Sequence, residues 1–556
     1  MPKPFYITTA IDYTNGPPHI GHAYEKVLAD VIARYHRLKG EEVFFLTGVD
    51  QHGQKVQQSA EKAGVSPQQF VDEITVKFRA LWEKLEISYN RPDGWAATTD
   101  PLHKRCVQGI LQRLYDEGQI YKDKQKGYYS VRQEQFLTDK ERGPDGEFGP
   151  EWGEVEHRTE ENYYFRLEKH KEWLRDYLKA HPDCVAPDFR HTELINAVEK
   201  LNGDLCISRP KSRLSWGIEL PFDVGYVNYV WFDALTNYIS FAGYDSSKKE
   251  WEEQPNEFRN RWPALHVIGK DILIPAHGIY WPIMLHALGF PDGSKEGEID
   301  RMPKFLVHGW WNISGAKMSK SLGNVIDPND LANKYGAEAL RYYLMSDIGS
   351  GSDADFSEVR LVSRYNSDLA NSIGNLLNRT LSMVGKFQNK SVVRTPAILV
   401  EDPARELCQK AEIDIRSYNS EFSFGRSLPL TSPATLGLYA ISGAITDILR
   451  IAQRANASID AYPPWKLAKS ATVGAAGKLG AVLYGLSESL RIIAILISPV
   501  LPKAAHGIFD QLNWKMEPEL AGKEARFSLG EAEWGKMPDG HLVGKPTPLF
   551  PRIEVS

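Results

Sequence analysis

The first 85 residues alternate between two apolar periods. Phe5 to Ile11 and Val43 to Thr47 are short β-type runs. Between them Val27, Val31, Tyr35 and Leu38 recur at spacings of four, four and three, which places them on one helical face. That helix is predicted to stop at Gly40, a residue that enters the left-handed region without a Cβ penalty. Phe70, Ile74, Phe78, Leu81 and Leu85 repeat the helical spacing. Strand and helix in alternation predict an α/β fold built on a doubly wound parallel sheet.

The pattern then changes. Tyr128, Tyr129 and Val131 read as strand, whereas Gly143-Pro144-Asp145-Gly146 and Gly149-Pro150 are turn-rich. Alternation returns from Tyr226 to Asp347, and from Ser363 to Leu512 the spacing is almost wholly helical. The expected organisation is an α/β domain in two pieces, 1–115 and 226–362, split by an inserted subdomain at 116–225 and followed by a helical domain at 363–556. A loose dinucleotide fingerprint at Gly349 to Ala354 follows a helical pattern rather than a strand, so it is read as a turn.

Composition narrows the class without choosing a partner. The chain has 556 residues, 42% hydrophobic and 25% charged, enough for several packed cores. Its 66 Lys plus Arg stand against 72 Asp plus Glu, a net charge of -6, so a nucleic-acid partner would need local basic patches. Cys106, Cys184, Cys206 and Cys408 form no C-x-x-C pair, and buried or idle thiols are expected. The N-terminus runs straight into a strand-like segment, and no apolar stretch is read as approaching the roughly 18 residues of a membrane span. A cytoplasmic protein with no membrane partner is expected.

Candidate chemistry lies first at Asn15-Gly16-Pro17-Pro18-His19-Ile20-Gly21-His22, where a strand hands over to a helix. In an open α/β sheet that position is the ligand crevice. Two imidazoles at a helix N-terminus can face a phosphate, and Gly21 leaves room for a flat base, although an isolated H-x-G-H more often caps its helix. A second signal, Lys317-Met318-Ser319-Lys320-Ser321, lies between Gly315 and Gly323. Two lysines on a movable loop can neutralise charge developing on departing pyrophosphate. Asp50, after the second strand, could hold an ammonium group. Trp231, Tyr238, His277 and Trp281 could enclose a thioether, whose sulfur packs well against rings.

H-I-G-H and K-M-S-K-S in this order resemble the class I aminoacyl-tRNA synthetases, and nearly the whole chain is similar to bacterial-type methionyl-tRNA synthetases. The closing Leu549-Phe550-Pro551-Arg552-Ile553-Glu554 resembles the usual end of that family's core. The insertion is short for the editing domain of the isoleucine, valine and leucine enzymes, and no ligand cluster for a cysteine enzyme's zinc surrounds the motifs. The resemblance implies a Rossmann-like catalytic domain, a connective subdomain and an α-helical anticodon-binding domain. It implies a methionine–tRNA ligase using ATP with Mg2+, L-methionine, and initiator and elongator methionine tRNAs. His19, His22, Lys317 and Lys320 would be catalytic, with Lys320 serving transition-state charge. Gly21, Glu25, Gly269, Lys270 and Asp271 would bind ATP. Ile11, Tyr13, Asp50, Trp231, Ala234, Tyr238, His277 and Trp281 would line the methionine pocket, and Asn375, Arg379 and Trp465 would read the anticodon.

The chain departs from the family pattern in four places. Gln133 stands near a usual cysteine position, so no structural zinc is expected. Ile272 to His277 is one residue longer than usual. Asp12 replaces a more common aromatic, and Arg379 and Trp465 are further apart. A monomer is expected, since no oligonucleotide-binding module follows Ser556. A non-catalytic tRNA-binding paralogue would lose His19, His22 or Lys320, and an H-x-G-H nucleotidyltransferase acting without tRNA would lack the helical domain carrying Asn375 and Arg379.

Overall fold

The computed structural model describes residues 4–130, 135–137, 142–143, 145–313, 315–317, 325–349, 351–394, 403–424, 439–520 and 522–554. Seven strands make the central sheet: β1 (Phe5–Thr9), β2 (Asp12–Tyr13), β3 (Val43–Asp50), β4 (Trp95–Ala97), β5 (Val185–Ala186), β6 (Leu265–Gly269) and β7 (Lys304–His308). All pairings are parallel, in the order β2-β3-β1-β6-β7-β5, with β4 also on β3. Ile7 in β1 faces Phe45 on one side and Leu265 on the other. The chain therefore reverses its direction of travel across the sheet at β1, and the crevice of such a sheet opens at that strand's C-terminal end.

Periodicity locates the first helix well. α1 (Ile20–Leu38) buries Val27, Val31, Tyr35 and Leu38, and Gly40 follows at φ 84°. The next apolar repeat forms the Pro67–Lys84 helix, with Ser66 accepting from the Gln69 amide. β1 is shorter than the predicted Phe5 to Ile11. The Lys26 ammonium donates to the Ala10 carbonyl at 2.9 Å, and the chain resumes pairing as β2, with Asp12 opposite Val49.

Residues 116–225 are not wholly outside the parallel sheet. Val185–Ala186 pairs with Phe305 and Leu306 of β7, a contribution too short to leave a periodic signal. The remainder of that segment holds two antiparallel sheets, one pairing Ile120–Ser130 with Val155–Phe165 and one joining Ser208–Pro210 and Glu219–Leu220 to Asp223–Asn228. Val131 to Glu134, including Gln133, lie outside the described residues. Gly351, within the loose dinucleotide fingerprint, has φ 85°, and the adjoining strand, Ala354–Asp355, comes after it. Cys106 and Cys184 are buried.

After residue 358 the described elements are nearly all helical, including Asn375–Phe387, Ile441–Ala461 and Ala475–Ile497. Their apolar faces continue the core beneath α1 without a break. At the junction the buried Arg341 guanidinium meets Asp30 of α1 at 2.7 Å and donates to the Val500 and Pro499 carbonyls. The Ala475–Ile497 helix is long and apolar enough to cross a membrane by length and composition, which the sequence reading did not count, and here it is buried in the protein. Glu488 and Arg491 interrupt its apolar run, and they pair with each other at 2.6 Å in the interior.

Candidate active site

The C-terminal ends of β1, β3, β6 and β7 surround a cavity of about 580 Å³. His19 and His22, at the mouth of α1, contribute to its wall and also cap the helix. His19 Nδ1 accepts from the Gly21 amide at 3.1 Å, and His22 Nδ1 accepts from the His19 amide at 3.0 Å. The rings stack at 3.7 Å between centroids. Because each Nδ1 accepts, each neutral ring carries its proton on Nε2, so both are donors in an orientation fixed by the helix. A Cβ on Gly21 would lie 3.0 Å from His19 Cε1, which is why that position is glycine. Capping the helix and lining the cavity are thus one arrangement.

Two buried carboxyls, Asp50 at the end of β3 and Asp233 beside it, are treated in opposite ways. Asp233 accepts from His52 and His103, each at 2.7 Å; burial alone would raise it, but the two imidazoles hold it at about 2. Among the described residues the Asp50 carboxyl has only long contacts, 3.4 Å from the His52 amide and 3.5 Å from Thr98 Oγ1. Burial, and then the negative charge on Asp233, push Asp50 well above the usual carboxylate range. A carboxyl desolvated beside a like charge and poorly hydrogen-bonded calls for a cation. It faces the cavity.

Aromatic and apolar side chains form the adjacent wall: Ile11, Tyr13, Trp231, Ala234, Tyr238 and His277. His277 Nδ1 is 2.9 Å from the Ile272 carbonyl, so the proton sits there and Nε2 accepts from the Tyr238 hydroxyl at 2.7 Å. Burial lowers His277 to about 4, which keeps it neutral near pH 7. His277 lies in a π-helical stretch, Leu273–Tyr280, kinked at Ile274, which is extended at φ -113° and ψ 122°. A Cβ on Gly53, at φ 111°, would come 2.7 Å from the Tyr13 hydroxyl.

Along the α1 side of the cavity Glu25 is held twice, by Lys26 Nζ at 2.9 Å and by His308 Nε2 at 3.1 Å. Asp271 stands at the end of β6, and a Cβ on Gly269 would come 2.8 Å from its Oδ1.

Four sequence-assigned residues take other positions or lie beyond description. Trp281 does not line the cavity: fully buried, it donates to His266 at 3.2 Å and backs Tyr238 at 5.9 Å. Lys270 is also outside the cavity wall, pairing with Asp353 at 2.6 Å above the Trp310 ring. The backbone of Lys317 pairs with Asn312 in a short hairpin that begins at Trp311, one of the wall residues. Lys320, with Met318, Ser319 and Ser321, lies outside the described residues. Sequence reasoning missed Arg209 and Leu214, by which the insertion reaches the cavity, and missed His308 and Trp310. His308 was accessible in principle, since it ends the apolar run Phe305 to Val307 at a strand terminus.

A second concavity lies in the helical region. Asn375 lines it with Asn371, Asn378 and Phe550, after a π-helical segment at Tyr365–Gly374. Arg379 reaches Asp460 at 3.5 Å, and Trp465, shortly after, is 43% exposed. The closing segment returns here, with Ile553 exchanging hydrogen bonds with Asn366.

Residues 5–145 and 152–381 match the family described as tRNA synthetases class I (M). The switch-point cavity, the helix-mouth histidines and this match together define a class I aminoacyl-tRNA synthetase. A methionine–tRNA ligase of Caldanaerobacter subterraneus subsp. tengcongensis is 40% identical over 100% of this chain and 80% of that protein. One from Thermosynechococcus vestitus is 38% identical, covering 100% of this chain and 98% of its own. The Mycobacterium tuberculosis methionyl-tRNA synthetase solved in complex with methionyl-adenylate superposes with a TM-score of 0.84 at 35% identity, over 99% of this chain and 100% of that one. The chain belongs to the methionyl-tRNA synthetase family.

Proposed function

We propose that this chain is a methionine–tRNA ligase that forms methionyl-adenylate from L-methionine and ATP, then esterifies the 3′ end of methionine tRNA. The observation that carries the reading is Asp50, a buried carboxyl without a strong partner among the described residues, beside an aromatic and apolar wall. The α-ammonium of methionine would supply the missing cation, and the thioether would lie among Trp231, Tyr238 and His277. His277, neutral and fixed, adds no charge to that wall.

In the first step a methionine carboxylate oxygen bonds to the α-phosphorus of ATP, and the bond to the bridging oxygen of pyrophosphate breaks. Nε2 of His19 and of His22 would donate to phosphate oxygens. Glu25 and Asp271 would accept from the nucleoside, and Lys317 and Lys320 would offset the charge on pyrophosphate. In the second step a terminal ribose hydroxyl of tRNA attacks the methionyl carbonyl and AMP leaves. Among the described residues no group of three or more His, Cys, Asp or Glu side chains is arranged to hold a metal. Mg2+ bound together with ATP would supply further positive charge at its phosphates. We take the protein to be a cytoplasmic monomer.

Methionine-dependent exchange of pyrophosphate into ATP, followed by charging of methionine tRNA, tests this reading. Exchange with methionine alone among the amino acids, together with charging, is expected. Exchange without charging would leave a nucleotidyltransferase, and neither activity would leave a tRNA-binding paralogue. Methionine binding should also follow pH: Asp50, raised in the free protein, must lose its proton to meet the ammonium, so KM for methionine should rise as pH falls. Initial exchange rates across a pH series check the sign. In the helical region Asn375, Arg379 and Trp465 would read the anticodon. Trp465→Ala is expected to lower charging roughly 10- to 100-fold, the range for one lost base stack, and to leave exchange nearly intact. Equal losses in both assays would count against it.

A further inference from the structure

Asp12 lines the cavity, and the proposed mechanism leaves it without a role. Its side chain is buried on the cavity wall, and Oδ1 accepts from Lys26 at 2.6 Å. Oδ2 has no hydrogen-bond partner among the described residues. Lys26 is fully buried and divides its three donors among Asp12, Glu25 and the Ala10 carbonyl. Two carboxylates thus share one ammonium, and only one of them, Glu25, has a second partner in His308.

We propose that Asp12 is a positioning residue for the nucleotide half of the site: by sharing Lys26 it keeps the Glu25 carboxylate from being fully neutralised, so that Glu25 remains a strong acceptor for ATP. This rests on the ligase reading and assigns a task within it. β2 alternates its side chains across the sheet, so Asp12 faces α1 while the neighbouring Tyr13 faces the methionine wall, which separates its effect from amino-acid binding. Charge follows the same division. Burial raises Asp12 to about 7 against the pull of Lys26, whereas Glu25 is lowered by Lys26 and His308 against its own burial. The surrounding groups are Glu25 and Lys26 of α1, His308 of β7, and Tyr238 and His277 of the wall. Of the two carboxyls on Lys26, Asp12 is the more easily protonated, so its hold on Lys26 is strongest above about pH 7.

Asp12→Asn keeps an acceptor for Lys26 and removes the charge. In the exchange assay at pH 8 it should raise KM for ATP about tenfold, the size of one weakened hydrogen bond to a charged group, with KM for methionine within twofold. Glu25→Gln should raise KM for ATP at least as much, and the double variant should be no worse than Glu25→Gln alone, because Asp12 acts through Glu25. Unchanged KM for ATP in Asp12→Asn, equal rises for both substrates, or additive effects in the double variant would overturn the proposal. Absence of methionine-dependent exchange in the unmodified protein would instead overturn the ligase reading. Thermal unfolding, expected within a few degrees of the unmodified protein, identifies a misfolded variant, in which case Asp12→Ser supplies the same test.

Discussion

Asp50→Asn is expected to raise KM for methionine roughly 100-fold while leaving KM for ATP within a few-fold, because a bound ammonium would lose the buried counter-charge proposed for it. The same change should leave thermal stability at pH 7.5 unchanged or higher. The sign follows from the raised carboxyl: such a group favours the fold only while protonated, and that contribution is lost as pH rises through its folded-state range. At pH 7.5, where the unfolded chain's carboxyl is ionised, keeping Asp50 in its buried place costs stability, and an amide removes the cost. Activity and stability should therefore move in opposite directions, as expected of a group kept for binding rather than for packing. Steady-state exchange kinetics and a melting curve on one preparation decide it. Parallel loss of both would make Asp50 a structural residue.

Lys320→Ala is expected to slow adenylate formation about 100- to 1,000-fold, the range for removing one preorganised group from a developing charge. Methionine affinity should change by no more than a few-fold. Lys317, three residues before Lys320, pairs through its backbone with Asn312, next to Trp310 and Trp311 of the cavity wall. Rapid-quench measurement of adenylate formation under single-turnover conditions tests the role. A normal rate would remove it.

Much of this was legible in the sequence because it rests on periodicity or on strand termini. The buried face of α1, the Gly40 stop and the placement of His19, His22 and Asp50 all follow from where a strand ends and a helical repeat begins. The kink at Ile274, inside the Leu273–Tyr280 stretch that carries His277, left no periodic signal. Aromatic residues were harder, because a tryptophan in a core segment looks the same whether it faces a cavity or backs one. Trp281 proved to do the latter. Lys270 was assigned by its place in a motif, but its charge is taken by Asp353, a partner 83 residues away. Val185–Ala186 and Arg209 joined the central sheet and the cavity wall through tertiary contacts that no local pattern announces. Asp12 stood out by its type, and its meaning depended on Lys26 meeting it across the β2–α1 junction.

The account depends most on the cavity at the strand ends holding both halves of one adenylate. A crystal structure with a non-hydrolysable methionyl-adenylate analogue tests this directly. The predicted complex has the α-ammonium on Asp50, the thioether against Trp231, Tyr238 and His277, and the nucleoside beside Glu25 and Asp271 at the mouth of α1. An analogue bound elsewhere, or one whose ammonium avoids Asp50 and whose side chain lies outside the aromatic wall, would contradict it.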